Sequence, residues 1–146
     1  MEQYHYQLEE HQSVTYAGFW ARVFALIIDI LILIVPHLII NLLIDGRFTN
    51  SSGYANFCTL VFDWLYFAML ESGVNQATFG KRLLDIKVTD IYGGRISFAR
   101  ATGRYFSKIL STIILFIGFI MVAFDSRKQG LHDKIVDTLV VSNDSF

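Results

Sequence analysis

The sequence predicts a mostly α-helical membrane protein: a transmembrane helical hairpin, a third region that is amphipathic and then apolar, and a small cytoplasmic β-strand element. Three observations carry this. The run from Phe19 to Ile44 is about 26 residues long, with Arg22 and Asp29 as its only Asp, Glu, Lys or Arg, and exceeds the ~20 residues that cross a ~30 Å hydrocarbon core. A second apolar run, Tyr54 to Leu70, follows after the short connection Asp45 to Gly53, which makes the two runs antiparallel neighbours. Finally, 53% hydrophobic against 17% charged residues is an apolar balance for a chain of 146 residues.

Residues 1–15 read as an acidic cytoplasmic tail, since Glu2, Glu9 and Glu10 are present without Lys or Arg, the wrong charge for a cleaved signal peptide. The first helix, about 19–44, is therefore expected to stay in the mature protein, and residues 16–141 are expected to form one membrane domain. Pro36 lies inside this helix and removes one backbone hydrogen bond, with His37 beside it. The second helix is expected over about 54–71. Cys58 is the only cysteine and reads as a small apolar residue of that helix, so no internal disulfide can form.

A cytoplasmic strand segment is expected within about 80–97, because Leu84, Ile86 and Val88 alternate with Asp85, Lys87 and Thr89 before a turn at Gly93 and Gly94. Over about 98–124 the pattern changes. Ser97, Arg100, Arg104, Lys108 and Ser111 recur at three- and four-residue spacing among apolar residues, the signature of a basic amphipathic helix at the inner interface. Ile109 to Phe124 is then purely apolar but short for a span, and Gly118 offers a turn, so a re-entrant hairpin packed on the first two helices is expected; the alternative is a plain third span. The cytoplasmic tail from 125 ends in Thr138 to Val141, a β-branched run able to pair with the first strand. No internal repeat is visible.

Orientation follows from basic residues, which stay cytoplasmic in short loops. The Asp45 to Gly53 loop holds only Arg47, whereas Lys81, Arg82, Lys87 and Arg95 follow the second helix, which places the amino terminus and the central segment inside.

Charges within a bilayer mark a polar site. Seven residues at ~100° each return Asp29 to within about 20° of Arg22, on one helix face but ~10 Å apart, so each is expected to find a partner elsewhere. Asp63, ~12 Å from Glu71, and Asp29, ~13 Å from Trp20, fall at similar depths on antiparallel helices, so Asp29, Asp63 and Glu71 form a candidate proton or cation site. Lys81, Arg82, Arg100, Arg104 and Lys108 are expected to touch anionic lipid headgroups.

Enzyme chemistry finds no support. GVNQATFGKR has the wrong glycine spacing for a phosphate-binding loop and Arg82 where Ser or Thr should follow Lys81. His132, Asp133 and Asp125 lack metal-ligand spacing, no cofactor is expected, and the basic residues are placed for a membrane interface rather than a nucleic acid.

Four segments together carry a resemblance: the arginine and the aspartate of GFWARVFALIID, then QATFGKRLLDIKVTDIYGG, then DSRKQGLHDKIVDTLVV. They resemble the RDD family of small bacterial membrane proteins, named for an arginine and two aspartates. Arg22 and Asp29 match the first two, and Asp133 of GLHDK is assigned as the third. Asp85 stands where a small or neutral residue is expected, and Asp137 where the family often has glycine. The resemblance implies an integral protein of the bacterial cell membrane, with an intramembrane network of Arg22, Asp29 and Asp133. It also implies a function mostly unassigned, with cation/proton antiport proposed for some members. Two readings follow: a structural or regulatory membrane component that binds a partner protein or a second copy of itself, and a small ion or proton exchanger built on Asp29.

Overall fold

The computed structural model describes residues 14–48, 51–113 and 117–145, the side chains of 112–119 excepted. Its elements in order are α1 (Phe19–Asp45), α2 (Gly53–Ser72), α3 (Phe79–Leu83), β1 (Ile86–Asp90), α4 (Phe98–Ile113), α5 (Ile117–Phe124), α6 (Leu131–Ile135) and β2 (Thr138–Ser142). The acidic tail, as far as residue 13, lies outside the described residues.

Helix α1 runs unbroken through Pro36 and closes on Gly46, whose left-handed φ of 65° lets its N–H reach Leu42. It is the one helix among the described residues long and apolar enough to cross a membrane, by length and composition. A core helix of that length would be covered, yet Leu31, Val35 and Leu43 are 61%, 60% and 79% exposed, and the buried residues form one narrow stripe, Ala25, Asp29 and Leu33. Helix α2 starts at Ser52, whose hydroxyl accepts from Ala55, and runs antiparallel to α1, since Tyr66 lies beside Asp29 and Asp63 beside His37.

The well-packed core sits at one end of these helices. Ala17, Ala25, Ala68, Ile86, Val88, Ile96, Ala101 and Val140 form it, and the many alanines let strands and helices approach closely. Strands β1 and β2 pair antiparallel with Val88 opposite Val140, as the alternation in the sequence suggests. Tyr16 bridges to Val141 on the far side of β2, and the Gln76 backbone and side chain cover the outer edge of β1 at Val88. The strand pairing ties both ends of the described chain to its middle.

A repeat invisible in the sequence appears here. A residue with positive φ, a five-residue helix, a second residue with positive φ and a strand occur twice. One spacing separates Gln76 from Lys128, Phe79 from Leu131, Asp85 from Asp137 and Val88 from Val140. The two units α3–β1 and α6–β2 are thus related by a pseudo-twofold through the Val88–Val140 pair. Asp85 and Asp137, with φ of 56° and 52°, make the same left-handed exit from a short helix, a conformation aspartate tolerates better than most residues.

Among the described residues the third apolar region holds two helical segments, α4 and α5. Gly118 is helical within α5, and residues 114–116, between α4 and α5, lie outside the described residues. Arg104 of α4 contacts Asp133 of α6, so the chain leaves along α4 and comes back along α5 to the end where it started.

Candidate functional site

Two polar centres lie where the α1–α2 pair meets the sheet end. The first surrounds Asp29, which is 1% exposed. Its Oδ1 accepts from the Tyr66 hydroxyl at 2.7 Å and the Gly80 N–H at 2.8 Å, and its Oδ2 accepts from the Thr78 hydroxyl at 2.6 Å. Thr78 caps α3 through its contact with the Lys81 N–H, and Gly80 donates from the same first turn. A carboxylate from α1 therefore caps a helix delivered by a segment about fifty residues later. The approach requires glycine: a Cβ on Gly80 would lie 2.0 Å from the Ala25 carbonyl oxygen and 3.0 Å from the Asp29 carboxyl carbon.

The second centre is ionic. Arg22 pairs with Asp133, donates to the Lys128 carbonyl, and is oriented by an Nε contact of 3.1 Å to the Ala17 carbonyl. Arg104 Nη2 lies 3.0 Å from Asp133 Oδ1, and its Nη1 lies 3.8 Å from Glu71 Oε2. Glu71 also pairs with Lys81 and, at 3.3 Å, with Lys108. Among the described residues, four basic side chains thus meet two carboxylates. Asp133 is completely buried, and its Oδ2 also accepts from the Gly130 N–H at the start of α6.

Electrostatics outside the helical pair follow from this crowding. Burial pushes His132 down to about 3 despite the neighbouring Asp133, so it is neutral at physiological pH. Burial alone would raise Asp133, but Arg104 and Arg22 more than offset it and hold the carboxyl below the usual range. Burial pulls Lys81 down to about 7, against the attraction of Glu71.

The sequence expectations are rearranged by this geometry. Arg22 and Asp133 do meet, but Asp29 joins neutral donors, and among the described residues no ion pair includes it. Asp29, Asp63 and Glu71 do not share a site: Asp63 contacts His37 at 2.7 Å, and Glu71 belongs to the cation cluster. Lys81 and Arg104, expected at lipid headgroups, are buried, and Lys108 also turns inward, because the Glu71 and Asp133 carboxylates offer strong partners inside. Arg82 and Arg100 remain exposed. The partners of Asp29 were missed. Thr78 followed at two residues by Gly80 is the spacing of a helix start, and was the available signal.

These features define a mostly helical protein with one membrane-length apolar helix and a buried charge cluster at one end of it. The RDD family matches residues 16–137, and the chain belongs to that family. It is 39% identical over 146 residues to a Bacillus subtilis protein named "Uncharacterized protein YxaI", with 86% of this chain and 96% of that one aligned. It is 34% identical over 141 residues to the "Uncharacterized membrane protein YteJ" of the same organism, covering 86% and 80%. A Mycobacterium tuberculosis "Proline-rich antigen homolog" is 33% identical over 72 residues, covering 49% of this chain and 30% of that protein. No solved structure matches the chain.

Proposed function

We propose that the chain is a multi-pass protein of the bacterial cell membrane, amino terminus inside, that acts as a structural or regulatory component rather than an enzyme or exchanger. The observation that carries this is the state of Asp29: all three donors that hold it are structural, one of them a backbone N–H. An exchanger built on this carboxylate would have to break those contacts in every cycle. Used instead as a cap, it locks α3 and β1 against α1. The exposed apolar sides of α1 and α2 face lipid, a second copy or a partner helix. In this reading α1 and α2 span, and α4–α5 re-enters, returning the tail to the inner side.

Two measurements test it. With Cys58→Ser as background, a membrane-impermeant maleimide should label Arg47→Cys from outside intact cells and leave Asp144→Cys untouched; both residues are exposed. Labelling at Asp144 refutes the topology. In liposomes holding a pH dye, under Na⁺ and K⁺ gradients, wild type and Asp29→Asn should both be silent. Cation-driven proton movement lost in Asp29→Asn would establish the exchanger instead.

A further inference from the structure

The two units α3–β1 and α6–β2 belong to a longer repeat. The spacing that relates them also carries Ser72, the last residue of α2, onto Phe124, the last residue of α5. Packing repeats as well, with α3 against α1 and α6 against α4. Gly80 meets Ala25, about 9 Å along α1 from its first residue, and Gly103, about 8 Å along α4, meets Val136 at the end of α6. Each short helix thus rests on the flank of a longer one, at matching heights.

The outward faces of α3 and α6 correspond residue for residue. Residues three and four apart share one face of a helix. On α3 that face is Phe79, Arg82 and Leu83, and on α6 it is Leu131, Lys134 and Ile135, so both helices present an apolar, a basic and an apolar side chain. Phe79, Leu83 and Ile135 are 47%, 71% and 51% exposed, whereas Gly80, Lys81, His132 and Asp133 on the inward sides are buried. A single exposed leucine is ordinary, but the same exposure at two related places calls for a common cover. Arg82 lies over the Phe79 ring at 5.9 Å, and Lys134 pairs with Asp125 just past α5.

The height of these faces indicates what covers them. Trp20, 67% exposed and near Phe24, stands in the first turn of α1, where an aromatic side chain marks a membrane–water interface. The Ala25–Gly80 contact lies about 8 Å further along α1, within the ~5–10 Å to which an interfacial helix buries its apolar face. We propose that α3 and α6 are a pair of interfacial helices, seated in the inner leaflet on opposite sides of the pseudo-twofold. Phe79, Leu83 and Ile135 enter the acyl region, while Arg82 and Lys134 reach back to headgroups. The partner is the bilayer itself, and the two seats hold the β1–β2 sheet at a fixed height beneath it. The proposal deepens the membrane reading above and rests on it. Arg82 keeps the headgroup contact expected of it, and Lys134 gains one.

The test uses the full chain in lipid nanodiscs, where water reaches both faces. With Cys58→Ser as background, an environment-sensitive fluorophore is placed on Leu83→Cys, on Ile135→Cys or, as an exposed control, on Asp144→Cys. Iodide quenching reads access from water, and lipids carrying a nitroxide near the headgroup read access from the bilayer. The Leu83 and Ile135 probes should both be quenched by the nitroxide lipid and be roughly fivefold less sensitive to iodide than the Asp144 probe. Iodide access equal to the control at either position overturns the proposal. Shielding from iodide without nitroxide quenching also overturns it, because a second copy or a partner protein then covers the face. Carbonate washing of membranes keeps the underlying reading separate: extraction of the protein refutes both, whereas retention with water-exposed probes refutes only the interfacial seats.

Discussion

Replacing Gly80 by alanine adds one methyl group, and the structure makes this a severe change. The new Cβ would sit 2.0 Å from the Ala25 carbonyl oxygen and 2.9 Å from its carbon, both backbone atoms of a long helix that cannot step aside. Restoring ordinary contact requires α3 to retreat by about 1.4 Å, which stretches the 2.8 Å Gly80 N–H contact to Asp29 beyond hydrogen-bond range and loosens the 2.6 Å Thr78 contact. Hydrogen bonds to charged groups contribute about 1.5–3 kcal/mol each, so the expected loss is about 3–6 kcal/mol. Asp29→Asn should be milder, about 1 kcal/mol, because its amide oxygen keeps Tyr66 and Gly80 while its NH₂ donates to a rotated Thr78 hydroxyl. Unfolding in detergent, followed by helical circular dichroism, measures both. A Gly80→Ala protein within about 0.5 kcal/mol of wild type, or one no less stable than Asp29→Asn, refutes the account of Asp29 as a cap.

Glu71 is one of the two carboxylates that the described residues bring to four basic side chains, so Glu71→Gln should cost about 3–5 kcal/mol, and adding Lys81→Met should recover part of it by removing the side chain that Glu71 no longer pairs. No recovery in the double variant, measured by the same unfolding, contradicts this pairing. For His132, the unfolded chain takes up a proton near 6.5 while the folded chain does so only near 3, so the unfolded state binds more protons between these values and stability must fall as pH drops through that window. The slope approaches about 1.4 kcal/mol per pH unit for a single group, and His132→Gln should flatten it. An unchanged slope in the variant assigns the acid sensitivity elsewhere.

Local patterns in the sequence predicted what local physics decides. The long apolar helix, the antiparallel second helix and the pairing of Ile86–Asp90 with Thr138–Ser142 all follow from period, length and β-branching. The inward cations did not. Spacing shows that Arg104 and Lys108 share a helix face, but whether that face meets headgroups or a buried Glu71 depends on a residue on another helix. The partners of Asp29 were hidden for the same reason, since Tyr66, Thr78 and Gly80 come from three places in the chain. The left-handed φ of 56° at Asp85 and 52° at Asp137 was not anticipated either, since aspartate tolerates that conformation without announcing it.

The Arg22–Asp133 pair has a consequence for how the protein is made. Its members lie 111 residues apart, and the Lys128 carbonyl that Arg22 also contacts lies 106 residues away. At about 5–20 residues per second, a ribosome needs several seconds or more to reach Asp133 after Arg22 has emerged. Through that interval Arg22 lacks the carboxylate it meets in the folded protein, and only the last stretch of translation delivers it. The pair is therefore among the last contacts that synthesis allows, and a chain arrested just before Asp133 would have α1 without the partner that ties it to α6.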